Sequence, residues 1–188
     1  MVPKEYYGRL FTKEQLEVNY HPEALTLESM IKVDKQLRCK RCYSRIEEDW
    51  QLPGGQYYCR ACIVFGRNQE GKELYYFPSK TSEIEFPVLK WFGELTPYQA
   101  KVSEKLLRTY QKQKDSLVHA VTGAGKTEMI YNIVAYVLEN KGHVAIASPR
   151  VDVCRELFLR MKREFTCSIS LLHAESEPYD GSPLVIAT

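Results

Sequence analysis

The sequence predicts an α/β chain: a small cysteine-clustered module on the N-terminal side, then an incomplete P-loop lobe with a parallel sheet. Three observations predict it. Four of the six cysteines form two C-x2-C pairs, Cys39/Cys42 and Cys59/Cys62, with sixteen residues between the pairs. Residues 120–127 place two glycines, a lysine and a threonine directly behind a short apolar run. From Leu95 onward, strand-like and helix-like segments alternate, the pattern of parallel sheets with right-handed crossovers. The 188 residues suffice for one ordinary domain and a small appendage. A hydrophobic share of 44% and a charged share of 27% are those of a globular protein. No apolar run has the length of a membrane span, and a net charge of +2 argues neither for nor against nucleic acid.

Residues 1–33 mix charges with isolated apolar side chains and read as an N-terminal arm, with a short helix expected over 25–33. Residues 34–67 hold the cysteine pairs. Each pair suits a tight knuckle aiming two thiolates at one metal, so Cys39, Cys42, Cys59 and Cys62 have the spacing of a four-cysteine zinc ribbon with one structural Zn2+. Pro53-Gly54-Gly55 marks a turn joining two short strands between the knuckles. The alternative is two disulfides; the lack of a secretory signal and the nucleotide-type loop point instead to a reducing compartment. Seven Lys/Arg stand against four Asp/Glu in 34–67, with Tyr43, Tyr57 and Tyr58 interleaved. That mixture suits a single nucleic-acid strand, through phosphate pairing and base stacking, with Arg41, Tyr58 and Arg60 as candidate contacts. The bland alternative is that the tyrosines pack a tiny core and some arginines shield the thiolates. Residues 68–95 carry Tyr75-Tyr76-Phe77-Pro78 and Phe86-Pro87-Val88-Leu89, extended segments that connect the two parts.

Residues 96–188 read as the first part of the lobe. A helix should begin at Pro97, with Thr96 as N-cap and Gln99 at the third position; Tyr98, Val102, Leu106 and Tyr110 share one face. A strand over 117–121 leads into the glycine loop. Gly123 and Gly125 let the backbone curl its N–H groups inward, and the following helix N-terminus adds donors, which together make an anion cradle. Thr122, Gly123, Ala124 and Gly125 would wrap the phosphates, Lys126 would reach the β- and γ-phosphates, and the Thr127 hydroxyl would hold Mg2+. A helix over 128–140 buries Met129, Ile130, Ile133, Val134, Val137 and Leu138. A strand follows at 143–147, a helix over 152–165 with Val153, Cys154, Leu157, Phe158 and Met161 inward, and strands at 168–172 and from Leu184. Cys154 and Cys167 read as small buried hydrophobes. A P-loop ATPase also needs a later carboxylate for Mg2+. Asp152 reads as a helix cap and Asp180 as turn chemistry, so this chain alone is expected to bind nucleotide with little hydrolysis.

Ala120-x-x-Gly123-x-Gly125-Lys126-Thr127 resembles motif I of superfamily-two helicases and translocases, with Ala120 in place of the general glycine. Leu95-Thr96-Pro97-Tyr98-Gln99 looks like that group's adenine-reading glutamine motif, although Thr96 and Gln99 also form a capping box. Ser148-Pro149-Arg150 resembles motif Ia, which touches the nucleic-acid backbone, and Arg150 offers a bidentate phosphate contact. Leu172-His173-Ala174 and Ile186-Ala187-Thr188 look like the next two segments, which puts Thr188 on DNA. With a four-cysteine module fused in front, the whole chain resembles the N-terminal part of the ComFA family of competence-associated DNA translocases.

That resemblance implies a RecA-like lobe that stops before the Asp-Glu box, ATP and Mg2+ as ligands, and Lys126 and Thr127 as catalytic residues. It implies a parent enzyme, an ATP-dependent helicase or translocase drawing single-stranded DNA into the cell during natural transformation. It further implies a cytoplasmic location at the inner face of the membrane beside the DNA-uptake machinery, with ComFC and DprA as partners. The alternative is a zinc-ribbon module that binds DNA or protein without ATP turnover. In that family the strands beside 117–121 come from later sequence, so residues 96–188 are expected to be marginal or to form oligomers in isolation.

Overall fold

The computed structural model describes residues 2–16, 22–78 and 84–188, and the chain divides into two compact units, 1–80 and 81–188. The first contains the strands Leu10–Thr12 (β1), Leu25–Glu28 (β2), Met30–Val33 (β3), Gln36–Cys39 (β4) and Glu73–Tyr76 (β5). An antiparallel sheet runs in the order β1-β5-β2, so segments that read as arm and connector share one sheet. Its core is aromatic: Tyr6, Tyr7, Phe11 and Phe77 are buried together with Val2, and the Tyr6 ring lies 4.6 Å from Phe11 and 5.3 Å from Phe77.

Strands β3 and β4 form a hairpin. Its two-residue turn puts Asp34 and Lys35 at φ 49 and 64, the left-handed pair that matches the twist of the flanking strands. The helix expected over 25–33 is therefore corrected to β2 and β3. Leu25-Thr26-Leu27-Glu28 alternates with period two, and Thr26, Ile31 and Val33 are β-branched. A helix that short is marginal by itself, whereas pairing with β5 and β4 satisfies the backbone outright.

The second unit contains the helices Pro97–Gln111 (α1), Lys126–Met129 (α2), Tyr131–Glu139 (α3) and Val151–Glu164 (α4), with the strands Val144–Ala147 (β6), Ile169–Leu172 (β7) and Leu184–Ala187 (β8). The three strands are parallel, in the order β6-β8-β7, as the alternation of segments predicts. Central strand β8 buries Leu184 and Ile186 completely, against Tyr131, Val134 and Leu138 of α3, Cys154 and Met161 of α4, and Phe165. Val88 belongs to this core, and Trp91 meets Tyr131 edge-on at 5.4 Å.

Three local expectations are corrected. The segment 117–121 is not a strand among the described residues; Leu117 is 95% exposed and Val121 77%. A strand exists only through a partner's ladder, and none of β6, β7 or β8 pairs with it. The helix over 128–140 is broken at Ile130, whose ψ of −8 separates α2 from α3. Asp152 is not the cap of α4: Arg150 holds that position, and Asp152 sits in the first turn, where a negative charge favours the helix N-terminus.

Candidate functional site

The loop before α2 is shaped by its glycines. Gly123 and Gly125 lie at φ +80 and +74, a region that side chains with a Cβ enter only at a cost. Gln99 braces the loop from α1. Its Oε1 accepts from the Thr96 N–H at 2.9 Å, its own N–H donates to Thr96 Oγ1 at 3.4 Å, and its Nε2 donates to the Ala124 carbonyl at 3.0 Å. The capping box is thus present, and both ends of the amide are engaged inside the protein. A base approaching Gln99 has to compete with those partners. Lys126 Nζ donates to the carbonyls of Ala120 at 3.1 Å and Val121 at 2.8 Å, so its charge is held at the loop by neutral acceptors. Thr127 is half-buried in the first turn of α2, and Thr122 is exposed. A cavity of about 590 Å³ opens beside the loop, lined by Tyr98, Gln99, Val102, Leu117, Val121 and Met129 among others, within the usual range for a small-molecule site.

At the C-terminal edge of the sheet, the Ser148 N–H donates to the Ala187 carbonyl at 3.0 Å. This contact brings the loop 148–150 and Thr188 to the same edge, where open α/β sheets bind ligands. Arg150 is exposed but bound: Nε and Nη2 donate to the Asp152 carboxylate at 3.2 and 2.5 Å. Those hydrogen bonds hold the Asp152 carboxyl below its ordinary value. Asp180 accepts from the Ser170 hydroxyl and from the N–H and hydroxyl of Ser182. Sequence reasoning passed over Arg160, which joins α4 to the loop helix by pairing with Glu128 at 3.1 Å and Glu156 at 3.2 Å. The i,i+4 spacing of Glu156 and Arg160 was its only legible signal.

The cysteines gather within the first unit. Cys39 ends β4, and a turn closes on it: the Tyr43 N–H donates to the Cys39 carbonyl at 2.8 Å, and the Cys39 N–H to the Ser44 carbonyl at 2.9 Å. The second knuckle returns the Cys59 N–H to the Asn68 carbonyl at 2.9 Å and ends at Gly66, φ +85. All four sulfurs lie within 4.8 Å of one another. The pairs Cys42–Cys59 and Cys39–Cys62 stand at 3.5 and 3.7 Å, far beyond the ~2.05 Å of a disulfide. They are close to the ~3.8 Å edge of a tetrahedron with metal–sulfur bonds of ~2.3 Å. Burial pushes the Cys59 and Cys62 thiols up. Burial also raises Cys42, but bonds from Ser44 and the neighbouring cysteines outweigh it and hold that thiol at about 7. Four clustered thiols, three of them buried, cannot ionise together without a cation among them, so donor type and spacing fit one thiophilic metal ion.

The expected nucleic-acid contacts of this unit are not equivalent. Arg41 turns onto Cys62 and the carbonyls behind it. Arg60 is exposed and pairs with Asp49 at 3.2 Å, and the guanidinium carbons of Arg60 and Arg67 lie 5.7 and 5.9 Å from the Tyr58 ring centroid.

A three-stranded parallel sheet, a glycine loop with its lysine and threonine, and a glutamine reaching that loop from the preceding helix define a helicase-type P-loop lobe. In keeping with this, the family described as "Type III restriction enzyme, res subunit" matches residues 92–180. The chain is similar to competence proteins named ComFA. It is 53% identical to the Streptococcus pneumoniae protein over 98% of its own length and 42% of that protein. It is 34% identical to the Bacillus subtilis protein over 95% of its length and 40% of that protein. A shorter stretch, 37% of the chain and 11% of the relative, is 32% identical to the replication restart protein PriA of Helicobacter pylori. The chain spans about two fifths of the length of the ComFA proteins it matches. Among the described residues no helix is long and apolar enough to cross a membrane.

Proposed function

We propose that this chain is the leading part of an ATP-dependent translocase or helicase that moves single-stranded DNA during natural transformation. The observation that carries the reading is the loop 120–127, with two left-handed glycines and Lys126 turned over it, in a chain 53% identical to a competence protein. Lys126 exchanges the carbonyls of Ala120 and Val121 for the β- and γ-phosphates of ATP, since charged acceptors form the stronger bonds. The Thr127 hydroxyl holds Mg2+, which neutralises charge on the phosphates. The backbone of Thr122, Gly123, Ala124 and Gly125 wraps the phosphates, and Gln99 reads the adenine once it releases an internal partner.

Cys39, Cys42, Cys59 and Cys62 hold a structural Zn2+, whose contribution is folding free energy, roughly 10–16 kcal/mol in small modules. DNA lies along the sheet edge at Arg150 and Thr188, with Arg150 trading Asp152 for a phosphate, and Tyr58 and Arg60 offer a second contact. The 188-residue chain alone binds nucleotide with little hydrolysis, because Asp152 serves as a first-turn charge of α4 and Asp180 as turn chemistry rather than as Mg2+ carboxylates. ComFC and DprA, at the inner face of the membrane beside the uptake machinery, are the partners the resemblance implies. A fluorescent ATP analogue with Mg2+, titrated into the wild-type chain and Lys126→Ala, tests the loop. Losing one charge-assisted contact should weaken binding about tenfold to a hundredfold; equal affinities would refute the assignment. Anisotropy of a single-stranded oligonucleotide across a salt series, with metal loaded and stripped, tests the DNA contacts. A metal-independent affinity would move the contact to Arg150 and Thr188.

A further inference from the structure

We infer that Arg41 and Asn68 are positioning residues of the cysteine centre, dedicated to holding and neutralising its sulfurs. The inference rests on the reading that the four cysteines bind one metal ion. Four thiolates around a divalent cation carry a net charge of −2, and three of the cysteines are almost wholly buried: Cys39 0%, Cys59 0% and Cys62 3% exposed. Such a charge needs donors aimed at the sulfurs. Among the described residues, Arg41 brings the one guanidinium that reaches a cysteine sulfur. Its Nε and Nη2 donate to Cys62 Sγ at 3.3 and 3.1 Å.

The same fork is anchored on three carbonyls, Cys62 at 2.8 Å, Gly66 at 2.5 Å and Phe65 at 2.5 Å. Arg41 sits inside the first C-x2-C pair and grips the loop that carries the last cysteine, so it clamps the two knuckles together. Asn68 does the complementary work on the other side. It is 1% exposed, and its Nδ2 donates to Cys39 Sγ at 3.2 Å and to the Ser29 carbonyl at 2.8 Å. Cys39 and Cys62 are themselves a cross-knuckle pair, 3.7 Å apart, so the two donors stabilise one edge of the tetrahedron. Lysine cannot replace Arg41, because a single ammonium does not span a sulfur and three carbonyls. Arg60, by contrast, contacts Asp49 and Tyr58 rather than a sulfur, and serves as the control.

Co2+ titration of the full chain, read in the thiolate-to-cobalt charge-transfer bands, followed by Zn2+ competition against a chromogenic chelator, tests the inference. Arg41→Gln and Asn68→Ala should shift the charge-transfer band and weaken metal binding about tenfold to a hundredfold. Arg41→Lys should recover neither fully, and Arg60→Gln should match the wild type. If Arg41→Gln does not fold, the band position of Arg41→Lys decides. Wild-type bands and affinity in Arg41→Gln and Asn68→Ala would overturn the assignment. A wild-type chain giving no thiolate bands at all would instead remove the metal reading on which it rests.

Discussion

Replacing Gly125 by alanine probes the coupling between α1 and the glycine loop. Gly125 sits at φ +74, and a Cβ there would lie 2.4 Å from Gln99 Nε2 and 3.3 Å from Glu128 Oε2. The left-handed conformation costs a residue with a Cβ about 1–2 kcal/mol. Gln99 is the end of a flexible side chain, so it swings away and gives up its 3.0 Å bond to the Ala124 carbonyl, a further ~0.5–1.5 kcal/mol. The expected destabilisation of the second unit is therefore about 1.5–3.5 kcal/mol. In a Gln99→Ala background the obstruction and the bond are already absent, so the same substitution should cost only the conformational part, about 1–2 kcal/mol. The assay is urea unfolding followed by tryptophan fluorescence. The chain has two tryptophans, and in a Trp50→Phe chain the signal comes from Trp91, which packs on Tyr131 in the core of the second unit. Reading one unit at a time keeps the two-state treatment valid, and the midpoint should fall with the slope unchanged. Equal costs in the two backgrounds would show that Gln99 does not contact the loop. A cost near zero in both would show that the loop does not hold Gly125 left-handed.

Cys39→Ser should abolish metal binding and loosen the first unit while the Trp91 transition stays in place; one bound metal per chain in that variant would sink the site. Asp180→Asn tests the turn before β8. Burial raises the Asp180 carboxyl, but bonds from Ser170 and Ser182 outweigh it and leave the value lowered. A lowered carboxyl adds stability above its unfolded value near 3.8, and that stability is lost as pH falls through the folded value. The deficit of Asp180→Asn should therefore be full at pH 7 and shrink below about pH 4; a deficit independent of pH would refute the ionised role. The exposed apolar segment 117–121 should drive concentration-dependent association. Leu117→Lys should reduce it in sedimentation velocity, and a wild-type chain that stays monomeric throughout would contradict the expectation.

The chain's local chemistry was legible in its sequence. The Thr96–Gln99 capping box, the glycine loop, the cysteine spacing and the parallel strands of the second unit all rest on signals a few residues long: a side chain reaching its own backbone, a conformation only glycine adopts freely, an apolar period. Tertiary structure alone decided where a group finds a distant partner. Residues 25–33 became strands because β5, some fifty residues later, and the adjoining β4 supply their ladders. Among the described residues, 117–121 join no strand ladder, because β6, β7 and β8 pair with one another. Gln99 spends its amide on Ala124, and Arg41 turns inward to Cys62 rather than out to solvent. Backbone ladders and side-chain donors are satisfied by whatever lies nearby in space, and spacing along the chain does not specify that neighbour.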